Sequence, residues 1–295
     1  MTHRILVSTI LVVAGFLAVD AVHASAAADP TRFSVSVTGQ GPDVVLIPGL
    51  ATPGEVWDAT VKHLAPTHRV HVIGVAGFGT VDGGPNKADG DMLPALVAEM
   101  VQYVAGLKRP SLIGHSLGGL IALEVAAANP DAIGRLLIVD ALPFYALLMN
   151  PGATVEQATQ MATMMRKQMM AQTDAQYAAG APMLAARLAK SPPARASVTA
   201  WTAASDRTVV AKAMYEDAVT DARPRLPSIK TRTTVLYAFD AAMGIPQGAM
   251  DSMYSSAYRD LAGVDLKRVD ESYHFIMLDQ PDVFLREVDA FLRSQ

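Results

Sequence analysis

Short apolar and β-branched runs alternate along this chain with longer segments of helical periodicity, and that alternation constrains the fold more than any other feature. Residues 44–47, 69–75, 111–114, 136–140, 233–239 and 265–269 read as strands. Most of them are continuous apolar runs, the pattern of strands buried on both faces. Residues 33–38 (Phe-Ser-Val-Ser-Val-Thr) alternate instead, as an edge strand does. Helical spacing covers 55–64, 93–107, 117–128, 247–261 and 281–292. The expected class is α/β, with a mostly parallel central sheet and helices on both faces. Between 141 and 224 the alternation stops. That stretch is rich in Ala, Met and Gln, is broken by prolines, and reads as helices inserted between two strands. The expected core therefore comprises 31–140 and 225–295.

Hydrophobic residues make up 51% and charged residues 18% of 295 positions, a composition with ample apolar surface for one large core. The net charge of −4 gives no electrostatic basis for nucleic acid as a partner. Cysteine is absent, which excludes disulfides, a thiol nucleophile and cysteine-ligated metal. His3 and Arg4 precede an apolar run from Ile5 to Val19, and Ala21–Ala28 is mostly small. This pattern predicts a secretory signal peptide over 1–24, with cleavage after Ala24, Ala26 or Ala27. The expected location is then periplasmic or extracellular, after secretion across the inner membrane, without stable membrane insertion of the cleaved protein.

Gly114-His115-Ser116-Leu117-Gly118-Gly119 fits Gly-x-Ser-x-Gly, between an apolar strand and a helix. A serine lifted onto a strained strand-to-helix turn is exposed to substrate, and the helix start brings N–H groups beside its oxygen. Serine needs a base to become a nucleophile. His274, just beyond the last strand, is the candidate; His3 and His23 lie in or near the leader, and His115 adjoins the serine. His63, His68 and His71 match no zinc spacing and read as structural. A carboxylate must orient the histidine. Asp240, at the end of the 233–239 strand, is the first choice, with Asp140 and Asp251 as rivals. The oxyanion of an acyl-transfer intermediate needs donors already in place. The Leu117 N–H is one candidate, and the Leu50 N–H, after Pro48-Gly49, is the other.

Together these residues resemble the α/β-hydrolase superfamily: the strand with Pro48-Gly49-Leu50, then Ala76-Gly77-Phe78-Gly79, the Ser116 elbow, Asp240, and His274 followed by Asp279-Gln280-Pro281. Many relatives carry His-Gly at Pro48-Gly49, and many place the acid later than Asp240. The resemblance implies that 141–224 is a helical cap over the active site, whose many methionines suit an adaptable apolar pocket. It also implies a cofactor-free serine hydrolase that cleaves a carboxylic ester of a small apolar molecule through an acyl-enzyme. C–C bond hydrolysis, lactone hydrolysis or perhydrolysis on the same fold, and a non-catalytic binding protein, are the alternatives.

Overall fold

The computed structural model describes residues 29–88 and 90–293; the expected leader lies outside them. Seven strands form one sheet in the order β1-β3-β2-β4-β5-β6-β7. They are β1 (Phe33–Thr38), β2 (Asp43–Ile47), β3 (Arg69–Val75), β4 (Ser111–His115), β5 (Arg135–Val139), β6 (Thr233–Phe239) and β7 (Asp265–Asp270). Only β1 runs antiparallel, pairing β3 from Phe33 opposite Val75 to Thr38 opposite Val70. All other pairs are parallel.

Burial explains the order. β2 is buried throughout and β5 nearly so, as their apolar composition demands at the centre. The outer strands carry polar residues. In β7, Lys267 pairs with Glu287 and Arg268 with Asp270, and such charge deters edge-to-edge association. Helices cover both faces. α1 (Asp58–Leu64) and α10 (Pro281–Arg293) enclose one core through Trp57, Leu64, Phe284 and Val288. α2 (Leu93–Ala105), α3 (Leu117–Ala128) and α8 (Gln247–Ala257) enclose the other through Leu96, Met100, Leu120 and Tyr254. α3 is buried on all sides from Leu117 to Ala126, which accounts for its dense Ala and Leu. A further short helix, α9 (Ile276–Asp279), follows His274.

Between β5 and β6 the chain forms α4 (Val155–Ala171), α5 (Asp174–Leu188), α6 (Pro192–Ala204) and α7 (Arg207–Val219). Their starts are written locally. Thr154 with Gln157 and Thr173 with Gln176 form reciprocal capping boxes, and Ser191 and Asp206 cap the next two helices. α7 is anchored to the sheet layer by Glu216. Its buried carboxylate accepts the Met92 N–H at 2.9 Å and also the Leu93 N–H, capping α2, which lacks a side-chain cap of its own. No helix among the described residues is long and apolar enough to cross a membrane.

Candidate active site

Ser116 stands alone between the end of β4 and the start of α3, at φ 53° and ψ −125°. A non-glycine residue rarely adopts this conformation, so the surrounding packing must hold it. Its N–H donates to Val139 O at 3.0 Å, and its carbonyl accepts from Gly119 and Leu120. Side chains are excluded around it. A Cβ on Gly114 would lie 2.2 Å from Gly118 O, and one on Gly118 would lie 2.3 Å from Ile47 O. A Cβ on Gly49 would meet the Ser116 Cβ at 3.0 Å, so the loop after β2 passes directly beside the serine.

That loop carries Leu50. Among the described residues, neither the Leu50 N–H nor the Leu117 N–H donates to a protein acceptor. Ala51, next to Leu50, is held at φ 52°.

His274 follows β7 and lines the same cavities as Ser116. Its Nδ1 is 2.7 Å from Asp140 Oδ2. The expected pairing with Asp240 is therefore corrected: the carboxylate on this histidine belongs to Asp140, at the end of β5. The turn conformation decides between them. Asp140 has φ 46°, which turns its side chain back across the strand ends. There Oδ1 accepts the Ala238 N–H at 2.8 Å and the Tyr254 hydroxyl at 3.1 Å. Asp240 continues in extended backbone. It caps the short turn Ala241–Met243 through the Ala242 N–H and pairs with Lys190 at 2.7 Å, and these contacts hold its carboxyl below the usual range. Asp251, the other rival, accepts from Tyr237 and Arg268.

Two supporting groups had no distinctive signal in the sequence. Tyr254 is fully buried, and burial with the neighbouring Asp140 charge drives its phenol well above the ordinary value, so it remains a donor. His115 is wholly buried, its ring 4.5 Å from that of His274. Burial, then the nearby His274, push its pKa far down, so the ring is neutral. Its Nε2 lies 3.0 Å from His274 O and donates to that carbonyl, fixing the histidine loop from the nucleophile turn. Among the described residues the other histidines have separate partners: His63 with Asp289, His68 with Thr67, and His71 with Tyr103 and Asp43.

Two cavities, of about 480 Å³ and 340 Å³, meet at this point. Both are lined by Ser116, His274, Tyr145, Leu188 and Asp217. The larger extends over Leu142, Met243 and Met253, and the smaller under Met165, Met169 and Trp201. Three of the eight methionines of the inserted stretch, Met165, Met169 and Met214, thus face a cavity, while Met149, Met164 and Met183 are exposed.

Residues 44–287 match the model of the alpha/beta hydrolase family. The chain belongs to that family. It is 35% identical over 112 residues to a pimeloyl-[acyl-carrier protein] methyl ester esterase of Aeromonas salmonicida, a stretch covering 38% of this chain and 42% of that protein. The chain thus spans about two fifths of the length of this curated relative. The enol-lactonase of Burkholderia xenovorans superposes with a TM-score of 0.71 at 20% identity, covering 91% of this chain and 99% of the other. A bromoperoxidase of Bacillus anthracis superposes with a TM-score of 0.75 at 16% identity, covering 90% and 96%. At these identities the two structures speak for the fold alone.

Proposed function

We propose that this protein is a serine hydrolase that cleaves carboxylic esters through an acyl-enzyme, with Ser116 as nucleophile, His274 as base and Asp140 as the orienting acid. One observation carries the reading: the His274–Asp140 contact lies at the wall of a cavity that also holds a serine on a strained turn. The Asp140 carboxylate holds the proton on Nδ1 and leaves Nε2 free to take the serine proton. The serine oxygen then bonds to the ester carbonyl carbon, and the carbonyl oxygen becomes an oxyanion. The Leu50 and Leu117 N–H groups are the donors for that charge; losing one such donor typically costs ~2.7–4 kcal/mol. Collapse expels the alcohol, which takes the proton from His274. Water then repeats the sequence and releases the acid. The name of the Aeromonas relative, an ester hydrolase, supports this reading at the level of the bond cleaved. The apolar lining favours small aliphatic esters, and cyclic esters fall under the same chemistry.

The test is labelling with a fluorophosphonate together with hydrolysis of aliphatic esters of graded chain length. Wild type should label and turn over. Ser116→Ala should lose the label and at least ~10⁴-fold in kcat. Turnover that survives Ser116→Ala refutes the serine mechanism.

A further inference from the structure

We propose that Tyr145 and Asp217 form a polar subsite that recognises a hydroxyl on the substrate, beside the ester carbon, so that the preferred substrates are hydroxyacyl esters; this rests on the serine hydrolase reading above. Neither residue belongs to the constellation of Ser116, His274 and Asp140. Both come from the inserted stretch, Tyr145 just after β5 and Asp217 from α7. Both line the two cavities that share Ser116 and His274, which puts them where the cavities join. Among the described residues, neither the Tyr145 phenol nor the Asp217 carboxyl has a hydrogen-bond partner within the protein. Both residues are only partly buried, so their polar atoms face the cavity space, where a ligand can pair with them.

The chemistry of the pair narrows that ligand. Burial raises the Asp217 pKa to about 7, while the nearby His274 pulls the other way. Near neutral pH the carboxyl is only partly ionised, so a protonated fraction remains that can both donate and accept. Tyr145, whose phenol is raised by burial and by Asp217, can do the same. The pair matches a substrate hydroxyl, which can donate to the carboxyl and accept from the Tyr145 hydroxyl. A purely apolar acyl chain would leave both groups unpaired, a cost that discriminates strongly against it.

The experiment compares kcat/KM for methyl β-hydroxybutyrate with that for methyl butyrate, following acid release. Wild type should favour the hydroxylated ester by about tenfold or more. Asp217→Leu should reduce that ratio by roughly tenfold, and Tyr145→Phe, which removes one hydroxyl, by roughly threefold. Asp217→Asn keeps a donor and an acceptor and should hold the ratio within about threefold of wild type. A wild type that does not distinguish the esters overturns the proposal. So does a ratio unchanged in Tyr145→Phe, a variant that alters no packing volume. Ser116→Ala, assayed in parallel, separates the two readings. Loss of turnover on both esters upholds the serine mechanism whatever the ratio does.

Discussion

The ends of β5 and β6 lie side by side, and an aspartate directly follows each. Asp140 follows Val139 and Asp240 follows Phe239; the Asp140 N–H even donates to Leu236 O on β6 at 2.8 Å. In sequence the two are nearly equivalent. In the folded molecule their carboxylates do different things, because one backbone is left-handed and the other extended. Asp140 is turned inward, collects the Ala238 N–H and the Tyr254 hydroxyl, and reaches His274. Asp240 is turned toward the inserted helices and binds Lys190, a tie between that layer and the sheet. An acid at the carboxyl edge of a sheet is thus available for chemistry, and the turn that follows it decides whether it is used.

The sharpest test of this contrast is exchange of each carboxylate for an amide. Asp140→Asn should lower kcat by roughly 10⁴-fold, because the amide no longer enforces the tautomer that His274 needs. Asp240→Asn should stay within about tenfold of wild type, since its carboxylate serves an ion pair with the exposed Lys190 and does not touch His274. If ester kinetics show the two losses reversed, the assignment of the acid is wrong.

A third carboxylate extends the comparison to stability. Burial pushes the Asp217 carboxyl up to about 7, above the usual aspartate value of about 3.9, so the folded state holds more protons than the unfolded state between those values. Stability contributed by this group is complete below the lower value and falls as pH rises through the upper one. Asp217→Asn should therefore match wild type at pH ~4 and exceed it at pH ~8. The ceiling is about 4 kcal/mol, lowered by the water the cavity admits. Urea midpoints across that range measure it, and a gap that does not widen with pH contradicts the raised Asp217 carboxyl.

A smaller effect is expected where Asp140 is supported. Tyr254→Phe removes a single hydrogen bond to its carboxylate and should reduce kcat by roughly three- to tenfold with little change in KM. An equal change in Asp240→Asn kinetics on adding Tyr254→Phe indicates independent sites; a Tyr254→Phe effect that vanishes in Asp140→Asn indicates action through Asp140.

Much of the fold was legible because its signals are local. Continuous apolar runs marked β2, β4, β5 and β6, alternation marked β1, and the Gly-x-Ser-x-Gly turn placed Ser116 at a strand end before a helix. The same locality made His274 stand out after the last strand. The helix starts at Thr154 and Thr173 were present as Thr-x-x-Gln, a signal within four residues.

What those local patterns determined is the alternating architecture, the strained position of the serine and the sheet edge at which the polar groups gather. Tertiary structure alone decided which carboxylate meets His274, that His115 holds the histidine loop, and that Tyr145 and Asp217 open into the cavities. The reason is physical. Strand and turn propensities depend on near neighbours in the chain, whereas the direction of a side chain at a strand end depends on one backbone dihedral angle and on partners more than a hundred residues away.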